Sequence, residues 1–231
     1  MPQALIFDVF GTCVDWRSSI ARAVATALPG LDAVAFADAW RAEYQPAMER
    51  VRSGGRGYVP LDDLHLENLH RVAARFGVSA PDHLATAWER LDPWPDVPPG
   101  LATLHRTHIL APCSNGSIAM MARLARHAAL PWDCILGAEI ARDYKPKPQV
   151  YLASCAALRL PPEHVMMVAA HNDDLAAARA AGLGTAFVAR PTEHGPGQTS
   201  DLHPSADWDI VAADFEALAA RLQADSNRPG P

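Results

Sequence analysis

Four short stretches carry side chains able to do chemistry. They read "FDVFGT" at 7–12, "SNG" at 114–116, "YKPKP" at 144–148 and "VAAHNDD" at 168–174. The first places a lone carboxylate, Asp8, at the end of the apolar run "ALIFDVF", with the apolar Phe10 two residues on and a hydroxyl at Thr12. The second offers Ser114 and Asn115, the third Lys145, and the fourth His171, Asn172, Asp173 and Asp174. A buried carboxylate can act as a nucleophile when a cation and a hydroxyl hold it, and a second acid can activate water.

Something must bring four distant stretches together. Apolar runs at 4–10, 107–113, 134–136, 165–170 and 185–189, with a weaker one at 208–212, read as strands buried on both faces. Helical patterns alternate with them. "SIAMMARLARHAAL" has Ser117 at its start, "PQVYLASCAALRL" begins with Pro148, and "NDDLAAARAAGL" ends at Gly182. This alternation implies an α/β fold, a Rossmann-like parallel sheet with helices on both faces. Residues 16–96 depart from it. "SSIARAVATAL", "AVAFADAWRAEYQPAMERV", "LDDLHLENLHRVAARFG" and "APDHLATAWERL" read as helices, punctuated by "SGGRG" and "DPWPDVPPG". The expected organisation is an α/β core of 1–15 and 97–231 with an inserted all-helical cap, 16–96, over the carboxyl edge of the sheet. Open α/β sheets bind ligands at that edge, where strand order reverses. Asp8, Ser114 and the turn 169–174 would then share one crevice.

The 231 residues carry a formal net charge of -6, about half are apolar, and no Lys/Arg run occurs, which argues against nucleic-acid and anionic-membrane partners. No apolar stretch approaches the ~20 residues of a membrane span, and the N-terminus lacks signal-peptide character. Cys13, Cys113, Cys134 and Cys155 show no metal spacing and read as reduced, mostly buried thiols of a cytoplasmic protein. The tail "ADSNRPGP" reads as disordered.

The D-x-F-G-T turn, the S-N-G, the Y-K-P-x-P and the late acidic turn, in this order at strand ends, resemble the haloacid dehalogenase superfamily, and within it the type II L-2-haloacid dehalogenases. The resemblance spans nearly the whole chain, cap included. It implies hydrolysis of the carbon–halogen bond of small 2-haloacids, with no cofactor and no metal. Phosphatases similar in fold have a second acid where Phe10 stands, which carries a proton and helps assemble a Mg²⁺ site. Phe10 can do neither, and a hard cation needs several oxygen ligands. Halide leaves as a stable anion without either aid.

By the resemblance, Asp8 attacks C2 and forms an ester. Thr12 and Lys145 hold its carboxylate, and Ser114 and Asn115 bind the substrate carboxylate beside Phe10. Arg41 accepts the halide, and a permanently charged, weakly hydrated guanidinium suits that task. Asp174 helps activate water, with Tyr151 nearby and Tyr44 near substrate. One departure stands out. Type II members commonly read S-S-N-x-x-D where this chain has Ala169, Ala170, His171, Asn172, Asp173 and Asp174. Either His171 replaces the asparagine's hydrogen bond or Asn172 takes that role. Plainer readings exist: Asp8 as a turn former, Arg41 as a surface partner of Glu43 or Glu49, and the cap tryptophans as packing. A Mg²⁺-dependent phosphatase and a non-catalytic binding module are the competing classes. The resemblance leaves a homodimer open.

Overall fold

The computed structural model describes residues 1–226. Six strands form one parallel sheet in the order β5-β4-β1-β6-β7-β8. They are β1 (Ala4–Phe7), β4 (Ile109–Ser114), β5 (Leu136–Gly137), β6 (Val165–Ala169), β7 (Gly184–Val188) and β8 (Ile210–Ala212). Central β1 pairs with β4 on one side and β6 on the other, so strand order reverses beside it. Its four residues are all buried. Alternation sends Leu5 and Phe7 to one face, where Phe7 meets Trp132 and Phe215, and Ala4 and Ile6 to the other, with Val150 and Met167. A strand buried on both faces has no need for polar alternation, and this is why the run reads as continuously apolar.

Two further strands were not anticipated. β2 (Val14–Asp15) and β3 (Asp92–Pro93) pair antiparallel, Val14 opposite Pro93 and Asp15 opposite Asp92. They mark the start and end of the segment between them. The Trp94 N–H donates to the Cys13 carbonyl (3.1 Å) and its indole to the Gly11 carbonyl (2.8 Å), closing the junction.

Between these strands lie α1 (Trp16–Ala27), α2 (Ala33–Ala42), α3 (Tyr44–Gly54) and α4 (Leu61–Arg75), then a 3-10 helix, Asp82–Glu89. The single helix expected over 33–51 is two helices that break at Glu43. Pro46 lies in the first turn of α3, where a missing N–H costs nothing. The break points the Glu43 carboxylate at Arg50 (3.1 Å), Arg71 (3.5 Å) and Arg75. The segment "APDHLATAWERL" is 3-10 rather than α.

The remaining helices are α5 (Val97–Leu104), α6 (Ile118–Ala128), α7 (Ala138–Ala141), α8 (Pro148–Leu158), α9 (Asn172–Ala180) and α10 (Phe215–Ser226). Ser117 caps α6 by accepting from the Met120 N–H (2.9 Å), and Pro148 opens α8. Helices α5, α7 and α10 were not anticipated; α5 lies partly within a stretch that reads as Pro-rich punctuation, and its prolines sit in the first turn. Of the tail expected to be disordered, 224–226 ends α10, and the rest lies outside the described residues. No helix among the described residues is long and apolar enough to cross a membrane.

Candidate active site

Asp8 follows β1 directly, its N–H still bonded to the Val168 carbonyl across the sheet (2.9 Å). The chain then turns through Gly11, whose φ of +89° is costly for any side chain. Thr12, fully buried, donates from Oγ1 to Asp8 Oδ2 (2.7 Å) and accepts the Ala170 N–H (2.9 Å), tying this turn to the one after β6.

Lys145 lies just before α8. Its Nζ donates to Asp8 Oδ1 (2.8 Å) and Asp174 Oδ2 (2.5 Å), so one ammonium bridges two carboxylates. Tyr151 donates its hydroxyl to the other oxygen of Asp174 (2.5 Å). Burial raises the Asp8 carboxyl, yet the Lys145 and His171 charges outweigh it and hold Asp8 well below the usual carboxylate range. Asp174 moves the other way: burial, and the negative charge of Asp8, push it up against the pull of Lys145. The site thus holds one firmly ionised carboxylate and one more basic than usual.

His171 links Asp8 to an acid that the sequence did not single out. Its Nδ1 lies 3.1 Å from Asp8 Oδ2 and its Nε2 2.8 Å from Glu193 Oε2. Burial disfavours the imidazolium, but the charges of Glu193 and Asp8 prevail and hold its pKa well above the ordinary histidine value. Glu193, 2% exposed, also accepts from the Trp16 indole N–H (2.9 Å). It lies in the loop after β7, which lacks a recognisable motif; the one available signal is that a partly buried histidine beside a carboxylate needs a second partner. In the same loop, Arg190 donates to the Thr12 carbonyl (2.9 Å) and forms two bonds to Asp96 (2.9 and 2.8 Å).

A crevice of about 450 Å³ opens over Asp8. Phe10, Arg41, Tyr44, Asn115, Lys145, His171, Asp173 and Asp174 line it, with Gln45, Pro146, His194 and Asp201. Arg41 does not pair with Glu43 or Glu49; its guanidinium lies 4.2 Å from the Tyr44 ring centre and 5.4 Å from that of Trp16. Its Nη1 is buried with no hydrogen-bond partner among the described residues. Phe10 packs edge-on against Trp88 (5.8 Å) and Tyr44 (6.5 Å), joining the sheet turn to the aromatic cluster of the helices above it.

Several expected roles need correction. Asn172 does not reach Asp8. Its amide donates to Asp201 (2.7 Å) and the His203 carbonyl (3.0 Å) and accepts from Ser205 (2.8 Å) and Trp208 (3.0 Å), fastening the loop 201–208. Ser114 accepts the Gly116 N–H (3.1 Å) and shapes its own turn instead of lining the crevice. Tyr151 is fully buried behind Asp174 and also does not line it. Asn115 does line it; its Oδ1 accepts the Lys145 N–H (2.7 Å), leaving the amide nitrogen as its donor. Trp40, by contrast, matches the packing reading of the cap tryptophans: it is fully buried and bonded through its indole to the His65 carbonyl (3.1 Å).

The donor set does not fit a divalent cation. Lys145 stands between the two carboxylates, an aromatic ring takes the position of a second acid, and no group of three or more His, Cys, Asp or Glu among the described residues is arranged to hold a metal. The cysteines are poor rivals to Asp8 as nucleophile. All four are free, and burial pushes the Cys113 thiol up to about 12 and raises Cys13 as well.

A parallel α/β sheet with a carboxylate at the end of its central strand, beneath inserted helices, defines a class, and comparison with known proteins agrees. The family model for haloacid dehalogenase-like hydrolases matches residues 2–182, and the chain belongs to that family. The crystal structure of a defluorinating L-2-haloacid dehalogenase superposes with a TM-score of 0.93 at 49% identity, covering 96% of this chain and 95% of that one. That of a second L-2-haloacid dehalogenase gives 0.92 at 48% identity, over 97% and 100%. The (S)-2-haloacid dehalogenase of Xanthobacter autotrophicus is 29% identical, over 82% of this chain and 76% of its own length.

Proposed function

We propose that this chain is an (S)-2-haloacid dehalogenase that hydrolyses the carbon–halogen bond of small 2-haloacids, haloacetates and 2-halopropionates, through an ester on Asp8. The observation that carries the reading is the ionised Asp8, held by Lys145, beneath the apolar ring of Phe10, which stands where a metal-assisted site would carry a second acid. The named activity of the relatives supports the substrate class and the (S) preference.

In this reading Asp8 Oδ1 attacks C2 from behind the halogen. The Asn115 amide takes the substrate carboxylate, and Arg41 receives the halide on its unpartnered Nη1 side. Phe10 and Tyr44 exclude water during displacement, and holding the reactants in line contributes up to ~7–11 kcal/mol of the barrier. Asp174, the more basic acid, then takes a proton from water attacking the ester carbonyl. We also read 1–15 and 97–231 as a core domain and 16–96 as a cap. Four free cysteines support a cytoplasmic setting.

The test is halide release from chloroacetate, bromoacetate, fluoroacetate and 2-chloropropionate, with and without chelator. Release that ignores chelator, with label from ¹⁸O water entering Asp8 before product in a single turnover, is the expected result. Magnesium-dependent turnover of a phosphate ester, or an inert panel at high enzyme concentration, would overturn it.

A further inference from the structure

The hydrogen bonds around Asp8 treat its two oxygens unequally. Oδ1 accepts from Lys145, whereas Oδ2 accepts from both Thr12 Oγ1 (2.7 Å) and His171 Nδ1 (3.1 Å). Displacement needs one oxygen free to swing onto carbon. The doubly held Oδ2 is the one that stays put, becoming the carbonyl oxygen of the ester. We propose that His171, held by Glu193, forms with Thr12 an oxyanion hole at Oδ2 that serves the second half-reaction, the cleavage of the aspartyl ester by water. The proposal rests on the dehalogenase reading.

Glu193 is built for positioning. One oxygen holds His171 Nε2 at 2.8 Å and the other takes the Trp16 indole at 2.9 Å. The turn leaves no slack, since a Cβ on Gly11 would come within 2.0 Å of Glu193 Oε1. Each ring nitrogen of the imidazole thus has a carboxylate partner. The other charged or titratable groups facing this crevice are Arg41, Tyr44, Lys145, Asp173, Asp174, His194 and Asp201. Of all these, His171 is hydrogen-bonded to Asp8 and Glu193, and both favour its charged form.

The differential is electrostatic. In the free enzyme an imidazolium on Oδ2 stabilises the Asp8 anion and so restrains the nucleophile. In the ester Oδ2 is neutral; in the tetrahedral intermediate it carries a full negative charge. His171 therefore assists the second step at the expense of the first. The protons balance. Water gives its hydroxyl to the ester carbon and a proton to Asp174, which later passes it to solvent. The bond from that carbon to Oδ1 breaks, and the departing alkoxide takes a proton from Lys145. The new Asp8 carboxylic acid returns one to Lys145.

Rapid-quench single turnovers with 2-chloropropionate across pH separate the steps, halide reporting the first and the 2-hydroxy acid the second. For the unaltered protein, the second step should fall at alkaline pH along a limb that the first lacks. Glu193→Gln should move that limb about one pH unit lower. His171→Asn should remove it and slow the second step about a hundredfold more than the first, so that the ester accumulates on Asp8 by mass spectrometry. An unaltered protein whose two steps share one pH profile would overturn the inference without any variant. So would variants that slow both steps equally or leave the limb in place. Halide release that is absent from the unaltered protein would instead sink the dehalogenase reading beneath it.

Discussion

At the scale of single residues, Lys145 is the keystone, because it sits 91% buried between two carboxylates. Removing it leaves the Asp8 and Asp174 carboxylates facing each other without the ammonium that bridges them. Lys145→Ala should cost ~3–5 kcal/mol in denaturant unfolding and abolish halide release. Asp8→Asn should lower halide release by a factor of roughly 10³ or more, since the amide is no nucleophile. The pH dependence of stability has a definite sign. Asp8, lowered, contributes stability above its unfolded value near ~3.9 that is lost as pH falls through its folded pKa. Asp174, raised, opposes it, since it ionises in the unfolded chain first. His171, raised, contributes stability below ~6.5 that is lost as pH climbs through its folded pKa. Unfolding free energy should therefore decline with pH above neutrality, a slope that His171→Asn should flatten. Asp8, Thr12, Asn115 and Asp174 were legible because each lies within a few residues of a strand end, where sequence motif and position coincide, and Lys145 because its Y-K-P-x-P motif opens a helix. Glu193 was not, because a long loop carries it and only the fold brings it to His171.

At the scale of elements, four strands of the sheet were readable from strong apolar runs and β8 from a weaker one, three helices were readable from their capping residues, and the run at 134–136 meets β5 only at Leu136. The misread elements share a cause. Helix periodicity runs on through Glu43, so nothing local announces that α2 and α3 part there; Arg50 of α3 and Arg71 and Arg75 of α4 hold Glu43 at the break. The prolines that suggest a linker at 92–100 in fact begin α5. Asp96, beside that helix, holds Arg190 through two bonds and also accepts the Phe215 N–H (2.9 Å). Arg190 in turn steadies the Thr12 carbonyl, so Asp96→Ala should cost ~3 kcal/mol in unfolding and loosen the Asp8 turn, with halide release falling in parallel. Ser117→Ala, which removes the cap of α6 away from the crevice, should cost ~1 kcal/mol by the same measurement.

At the scale of the whole molecule, the substrate crevice is walled by both segments of the chain, Asp8 and Lys145 from below and Arg41 and Tyr44 from above. The two walls meet through the ribbon of β2 and β3, where Asp15 lies directly opposite Asp92. Everything from Trp16 to Leu91 thus leaves and returns through a doorway one strand pair wide. The strand order of the sheet is indifferent to what hangs from that doorway. A foreign helical segment whose ends lie a strand spacing apart, ~5 Å, would plug into the same socket without re-pairing a single strand of the sheet. The nucleophile would keep its place while the roof, and with it the choice of leaving group, changed hands.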